Sequence, residues 1–426
     1  MKLLWVVNII FPYPAEKIGM KNTVFGGWML SILQNLKDNK NIKEIAVVTT
    51  YNGKELKKYC DNNIVYYLIP CYNIEKYNKK IGLIFKNIYD EYEPDLIHVH
   101  GSEYPHSLSA VENSGNIKTL ISIQGLVSIY GNDWNYNAGI SKIEFLKNIT
   151  LRDLFKGDLL VLQSSKFKKR GKYEQKALKM CDYIIGRTSW DKSYAYSISN
   201  QFKYKKCCES LRNSFYNNNW SISNIDRHSI FVSQASYPIK GFHILLKAIN
   251  LLKKIYPDIL VYVSGADIIK SYSNSFSYKI KLSGYGKYLL RLIKKYNLAD
   301  NVKFLGLLDE KQMIDRLLKS NVFVQASSIE NSPNSLGEAM LLGMPCVASY
   351  VGGTADMLLD KKEGLLYPFG DYVMLAYYIS LIFDNDDMAI KFGIEAQKHA
   401  KITHDRKNNC NDLINIYMEV FNDIKK

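Results

Sequence analysis

The sequence contains no long hydrophobic run, no internal repeat and no low-complexity tract. Since no stretch reaches the roughly 18 consecutive apolar residues that a membrane-spanning helix needs, any contact with a membrane is expected to be peripheral. The apolar run over residues 3–11 is short, contains Asn8 and lacks a convincing small-residue cleavage site. It is therefore predicted to be the first strand of a sheet rather than a signal peptide.

Cysteines and acidic residues are both few. The seven cysteines are odd in number and scattered without metal-ligand spacing, which indicates a reduced protein in the cytoplasm. Only 41 acidic residues stand against 56 basic ones, so the formal net charge is +15. Such an excess calls for an anionic partner or surface.

The basic excess is concentrated over residues 161–206. It is either an ordinary solvated face or a surface that docks peripherally on the inner face of the cell membrane. Residues 140–155 are both amphipathic and basic, and they are predicted to form a helix of the first domain. Under the membrane interpretation, the neutralisation of four cations is expected to weaken docking: Lys166, Lys168, Lys169 and Arg170.

The length of 426 residues and the hydrophobic content of 47% suit two α/β domains, each with its own core. Short apolar runs at 2–10, 45–50 and 64–69 alternate with helical or irregular segments, which is typical of a doubly wound parallel sheet. An Asn-rich linker is predicted at 217–226. We expect a first domain over residues 1–220, a second over 221–403 and a helical tail over 404–426.

One stretch, residues 328–356, carries the clearest chemical signal. A buried strand is predicted just before it and a helix over residues 335–342, so the turn between them opens a helix at the carboxyl end of a strand. Backbone amides at such a turn bind anions, and phosphate is expected at Ser335 and Leu336. Glu330 and Glu338 flank the turn, and because carboxylates repel phosphate, they are expected to bind hydroxyls.

The segments SPNSLGEAM, LLGMPCVAS and VGG follow one another in this stretch. Together they resemble the retaining glycosyltransferases of family 4, the group 1 glycosyl transferases, and the resemblance covers nearly the whole chain. It implies the GT-B fold: two facing doubly wound Rossmann-like domains with a cleft between them, and a last helix that crosses back to the first domain. The other interpretation is that Glu338 only caps a helix and the glycines only form a turn.

The resemblance assigns roles to the donor side of the site. Glu330 would hold the transferred sugar, Glu338 the ribose, and amides at Asn334, Ser335 and Leu336 the diphosphate. Further donor contacts would come from the loop at Gly26 and Gly27, from Lys240 in the segment YPIKG, and from Leu307 beside the nucleobase. Where family members often have an arginine, this chain has Gln234, and the loss of that cation should weaken stabilisation of the leaving group.

The acceptor side is predicted in the first domain, where a polar loop follows the strand at residues 95–98. His100 and Glu103 lie in this loop, Gln124 follows the next strand, and Arg187 follows a later one. Three histidines and a glutamate, including His98, also suggest zinc, but their spacing matches no closed four-ligand site, so no metal is expected. Many family members have a histidine at position 124, and glutamine cannot act as a base.

These observations predict an enzyme that transfers a sugar from a UDP- or GDP-sugar with retention of configuration, without metal or cofactor. The expected acceptor is a glycan or lipid-linked glycan in surface polysaccharide synthesis, and no nucleic acid is involved. Two alternatives stay open: a degenerate transferase that binds membranes or polyanions, and a sugar-nucleotide epimerase. Release of the nucleoside diphosphate would separate these classes.

Overall fold

The computed structural model describes residues 1–20, 27–269 and 282–424 of the chain. The chain forms two compact units, and neither is one continuous stretch. The first unit comprises Met1–Ile129, Lys168–Leu211 and His404–Lys426. The second unit comprises Tyr130–Phe167 and Arg212–Thr403.

The strands, in chain order, are β1 Lys2–Val6, β2 Glu44–Tyr51, β3 Lys57–Asp61, β4 Ile64–Pro70, β5 Leu96–His100, β6 Lys118–Ser122, β7 Tyr183–Gly186, β8 Lys203–Lys206, β9 Asp226–Val232, β10 Leu260–Ser264, β11 Val302–Gly306, β12 Ser320–Gln325, β13 Cys346–Ser349 and β14 Leu365–Tyr367. The helices, in the same order, are α1 Pro12–Lys17, α2 Gly27–Lys37, α3 Lys79–Tyr92, α4 Pro105–Glu112, α5 Val127–Tyr130, α6 Asp133–Asn137, α7 Lys142–Lys147, α8 Leu151–Lys156, α9 Leu160–Met180, α10 Ser189–Ile198, α11 Phe242–Leu252, α12 Gly284–Lys295, α13 Glu310–Leu318, α14 Asn334–Leu341, α15 Thr354–Met357, α16 Tyr372–Asp384, α17 Asp386–Thr403 and α18 Arg406–Ile424.

The first unit is organised around an eight-stranded sheet in the order β3-β4-β2-β1-β5-β6-β7-β8. All neighbours are parallel except β3, which pairs with β4 antiparallel at the edge. Successive residues of β1 point to opposite faces, so Leu4 packs in one buried cluster and Leu3 and Trp5 in another. Both faces of the sheet are therefore covered, as expected of parallel strands.

Helix α18 completes one of these two clusters. Its Tyr417 is fully buried and accepts a hydrogen bond from the indole nitrogen of Trp5 at 3.0 Å. The Tyr417 hydroxyl is also hydrogen-bonded to Nδ1 of His98 at 2.6 Å. The last helix of the chain is thus packed on the first strand of the first unit.

The second unit contains a six-stranded parallel sheet in the order β11-β10-β9-β12-β13-β14. The chain runs outward from β9 through β10 to β11, and then returns to place β12 on the other side of β9. The order therefore reverses between β9 and β12. In open α/β sheets, ligands bind beyond the carboxyl ends of the strands at such a reversal.

The boundary between the units differs from the one expected. The chain passes into the second unit at Arg212, and the segment predicted as a linker is packed there. Trp220 is buried, its indole nitrogen donates to Ser320 O at 2.8 Å, and its backbone N–H donates to Leu342 O at 2.7 Å. The Asn-rich composition of this segment predicted a linker, although Trp220 anchors the segment to the second unit.

Residues 130–167 are a second correction, because they belong to the second unit rather than to the first. The single helix expected over residues 140–155 is also broken into α7 and α8. The reason is a new helix start at Thr150. Its hydroxyl accepts from the Asp153 backbone, and the Asp153 carboxylate accepts from the Thr150 backbone, which makes a capping box.

Candidate active site

Two loops meet where the strand order of the second unit reverses. One follows β9 and includes the 3₁₀ turn Pro238–Lys240, and the other follows β12 and includes Glu330. The Ser328 backbone N–H donates to Ile239 O at 2.7 Å and ties the loops together. Close approach requires glycine at 241, since a Cβ there would lie 1.7 Å from Ala326 O and φ is +64°.

Lys240 and Glu330 form the centre of this site. The lysine ammonium donates to Oε1 of Glu330 at 2.6 Å, and the Ser327 hydroxyl donates to the same oxygen at 2.7 Å. Both charged side chains are largely buried, with exposed fractions of 21% and 11%. Burial opposes the charge of Lys240, but the neighbouring Glu330 carboxylate outweighs burial and raises the lysine pKa above its usual value.

The glycine pair after β13 holds the backbone of Glu330. The Gly353 N–H donates to Glu330 O at 3.0 Å. Gly352 has φ +51°, and a Cβ on it would lie 1.8 Å from the same carbonyl oxygen. The glycines of the VGG segment therefore hold the backbone of Glu330 in place, in addition to forming a turn.

The turn before α14 presents the start of a helix to the same region. Pro333 occupies the N-cap position and makes no side-chain cap hydrogen bond, so the first amides of α14 are suited to an external anion. Asn334 begins the helix, and the Ser335 hydroxyl accepts from Ser233 Oγ at 3.1 Å. The Leu336 amide, predicted to contact the diphosphate, donates instead to Pro333 O at 3.0 Å.

Glu338 lies on α14 and forms a two-pronged ion pair. Arg212 donates from Nε to Oε1 at 2.6 Å and from a terminal nitrogen to Oε2 at 2.7 Å. Burial raises the pKa of Glu338, and the guanidinium counteracts that rise. Arg212 is a site residue that the sequence pattern did not reveal, since it is 126 positions away from Glu338.

The remaining predicted donor residues have mixed settings. Gln234 lies in the loop after β9 and is half-buried. It is next to Gly265, which follows β10. Leu307, directly after β11, is 65% exposed. Gly27 is the first residue of α2, and Gly26 lies outside the described residues.

Part of the segment 130–167 also borders this site. The Ser328 hydroxyl donates to Asn135 O, and Nε2 of His243 donates to Ala138 O at 2.9 Å. Burial lowers the pKa of His243 to about 3, so the imidazole is neutral. Because the acceptors are backbone carbonyls, these contacts could not be predicted from the side chains of the segment.

In the first unit, Gln124 and Arg187 lie in one buried hydrogen-bond network. Arg187 pairs with the Glu209 carboxylate at 2.7 Å and donates to Gln124 Oε1 at 3.1 Å. The Gln124 amide nitrogen in turn donates to Glu209 at 2.6 Å. Glu209 is therefore a structural partner of Gln124 and Arg187, two of the four residues that were predicted to lie on the acceptor side.

His98 and His100 are both buried in the sheet of the first unit. Nε2 of His98 is hydrogen-bonded to Ser122 Oγ at 2.7 Å, and the His100 ring packs on Trp5 with centroids 4.3 Å apart. Burial lowers the pKa of His100 to about 3. Within the residues that the structure describes, no group of three or more His, Cys, Asp or Glu side chains could hold a metal ion.

Glu103 follows β5, where the strand order of the first unit reverses beside β1. Its Oε2 accepts from the amide of Asn8 at 3.2 Å. Burial raises the pKa of Glu103 to about 7. This carboxyl is the predicted acceptor-side residue whose setting resembles that of a reactive group.

Part of the chain is similar in sequence to known proteins. Residues 217–399 match the family model of glycosyl transferases group 1. The D-inositol 3-phosphate glycosyltransferase of Corynebacterium urealyticum is 26% identical over 185 residues, which are 42% of this chain and 40% of that protein. The chain thus spans less than half the length of this curated relative. The matched residues lie within the second unit, which is thus similar to glycosyl transferases group 1.

Solved structures resemble the chain along its whole length. Sucrose-phosphate synthase from Thermosynechococcus elongatus has a TM-score of 0.71 at 16% identity, with 99% of both chains covered. Anabaena HepE, solved with UDP and glucose, has a TM-score of 0.67 at 15% identity, with 98% of this chain and 99% of that chain covered. The fold is GT-B. At these identities the likeness concerns the fold alone. Separately, none of the helices in the described part of the chain is long and apolar enough to cross a bilayer.

Proposed function

We propose that this protein is a retaining glycosyltransferase that moves a sugar from a nucleoside diphosphate onto a glycan or a lipid-linked glycan in surface polysaccharide synthesis. The observation that carries the proposal is the Lys240–Glu330 pair at 2.6 Å beside the uncapped start of α14. A cation and helix amides suit a diphosphate, while a carboxylate suits sugar hydroxyls. The group 1 domain match supports the same chemistry.

In the proposed reaction, the bond between the anomeric carbon and the diphosphate oxygen breaks while the bond to the acceptor oxygen forms on the same face. The proton of the acceptor hydroxyl passes to the departing diphosphate. Charge on that leaving group is stabilised by Lys240 and by amides at the start of α14. Glu330 holds the transferred sugar, and Glu338, oriented by Arg212, holds the ribose.

The donor is proposed to be a UDP- or GDP-sugar. HepE, which has the same fold, was solved with UDP, and this favours uridine as the first nucleotide to test. Gln234, in place of a cation, leaves Lys240 as the charged side chain proposed to face the diphosphate. A panel of nucleotide sugars, scored by the rise in melting temperature, would identify both base and sugar.

Replacing the two glutamates separately tests the assignment. Glu330→Ala should lower the transfer rate by at least about 100-fold while nucleotide affinity stays within a factor of a few, because the part of the donor that its carboxylate is proposed to hold is the sugar. Glu338→Ala should instead weaken UDP or GDP binding. Glu91→Ala is the matched control, since Glu91 also pairs with a lysine, Lys58, but on the surface. Wild-type transfer by both glutamate variants, with unchanged donor affinity, would refute this site.

Metal removal tests the stabilisation of the leaving group. Transfer should persist in EDTA, because the proposed stabilisation uses Lys240 and backbone amides. The measurement is nucleotide release with and without chelator, followed by addition of Mg²⁺. Complete loss of transfer that Mg²⁺ restores would contradict the metal-independent mechanism and leave the transferase assignment intact.

A further inference from the structure

The short helices α7 and α8 expose their apolar faces to solvent. Ile143 and Leu146 on α7 are 64% and 60% exposed. Leu151, Leu154 and Phe155 on α8 are 63%, 57% and 86% exposed. In each helix the spacing of three or four residues places these side chains on one side. We call these five residues the apolar patch.

The opposite faces of the two helices are packed on α12, and that of α7 buries Phe145 as well as polar groups. Asp153 is buried beside Gly284, where a Cβ would lie 2.7 Å from its carboxylate. Arg291 donates to Glu144 and to Asn148, each at 3.2 Å. Each helix therefore packs one side on α12 and exposes large apolar side chains on the other. In the usual amphipathic arrangement such side chains are buried.

The charges around the apolar patch are basic. Lys142, Lys147 and Lys156 are exposed and alternate along the sequence with the patch residues. The acidic groups of this region are paired: Glu144 with Arg291 at 3.2 Å and with Lys147 at 3.7 Å, and Asp158 with Arg152 at 3.2 Å. The outward surface therefore combines apolar side chains with positive charge.

We propose that α7 and α8 dock on an anionic lipid bilayer, with the apolar patch inserted at the level of the acyl chains and the three lysines among the headgroups. A helix that lies in the interface has such a composition, with apolar residues on one side and lysines that reach the phosphates. Lysine is depleted in the buried centre of protein–protein interfaces, so a second copy of the chain fits this surface less well. The proposal does not depend on the transfer activity.

This surface differs from the one expected from charge alone. Of the four cations expected there, Lys168 and Lys169 are exposed, and Lys166 donates to Gly157 O at 2.9 Å. Arg170 is not available to headgroups, because it is buried and stacks on the ring of Tyr104 with 5.3 Å to its centroid. The proposal adds the segment 140–156 of the second unit, so insertion of apolar side chains should accompany charge attraction.

Cosedimentation of the full chain with vesicles tests the proposal. Wild-type protein should bind vesicles with about 30% phosphatidylglycerol, and the triple variant Lys142→Gln, Lys147→Gln, Lys156→Gln should bind them roughly 100-fold more weakly. Leu154→Asp with Phe155→Asp should lose at least about tenfold in partition, since it removes two inserted side chains. At about 0.5 M salt, wild-type binding should weaken but stay above that of the double aspartate variant, because insertion is not screened.

The control variants are Ile255→Asp and Ile402→Asp, which change apolar residues of the second unit that are 67% and 77% exposed but lie outside the patch. They should bind vesicles like wild type, and UDP-induced thermal shifts should be equal in all variants. Wild-type partition by Leu154→Asp with Phe155→Asp would overturn the proposal. So would the absence of vesicle binding by the wild type, or a stable dimer in solution that this double variant dissociates.

Discussion

The two units place a glutamate at the same topological position and give it different partners. At the reversal of the second sheet, Glu330 pairs with the charged Lys240 at 2.6 Å. At the reversal of the first sheet, Glu103 accepts from the neutral amide of Asn8 at 3.2 Å. The Glu330 carboxylate raises the pKa of Lys240 above its usual value, whereas burial raises the pKa of Glu103 to about 7. Polar side chains lie at the strand reversal of each sheet, and their surroundings determine how their pKa values shift.

Removal of the cation from the second unit should have the largest effect. Lys240→Ala should lower the rate of transfer by about 100- to 1,000-fold, because the departing diphosphate loses its proposed cation. The readout is the rate of nucleotide release at saturating donor. Lys58→Ala removes the lysine of an exposed pair with Glu91 and should leave the rate unchanged. Equal rates for Lys240→Ala and wild type would remove the contrast between the two reversals.

A purely structural loss is expected in the first unit from Arg187→Met. This change leaves the buried Glu209 side chain without its guanidinium partner, which costs about 3–5 kcal/mol of unfolding free energy. Urea unfolding would measure the loss, and UDP affinity should stay unchanged because the donor side lies in the other unit. The control Lys205→Met breaks the exposed pair with Glu419 and should cost less than about 1 kcal/mol. A fall in UDP affinity without a loss of stability would show that Arg187 serves the donor.

The smallest effect concerns pH. Since burial raises the pKa of Glu103 to about 7, its contribution to stability is present below the ordinary value near 4.5 and is lost as pH rises through 7. Wild-type protein should therefore lose melting temperature between pH 5 and 8. Glu103→Gln should lose about 3 °C less over this interval. Burial also raises the pKa of Glu174 to about 7, and the Glu103 carboxylate contributes to that rise, so Glu103→Gln also reduces the contribution of Glu174. Parallel pH profiles would contradict the assignment to Glu103.

The sequence was informative where chemistry and local structure coincide. The turn before α14 could be predicted because a buried strand, a proline and helix-forming residues follow one another there. The roles of Gly241 and Gly352 were accessible only in part, since φ and the approach to Ala326 O and Glu330 O depend on distant segments. The pairing of Arg212 with Glu338 could not be predicted, because no local pattern links side chains 126 positions apart.

The first unit shows the opposite limit of sequence reasoning. Gln124 and Arg187 follow strands, as site residues often do, yet both are engaged with Glu209. The segment 130–167 misled for a related reason. Its residues Ile143, Leu146 and Leu154 were expected to pack on a sheet of the first domain, and they are exposed instead on the second unit. Periodicity shows which residues share a face, but it does not show what that face contacts.

The discontinuity of both units has a consequence for synthesis on the ribosome. Trp5 is translated 412 residues before Tyr417, to whose hydroxyl it donates. The second unit needs residues 130–167 from before its main stretch, but everything else in it has been made once Thr403 is released. The second unit can therefore complete its fold first, although most of the first unit is translated earlier. Until α18 arrives, one face of the first sheet is covered by α2 without α18, and apolar surface left exposed at this stage favours aggregation.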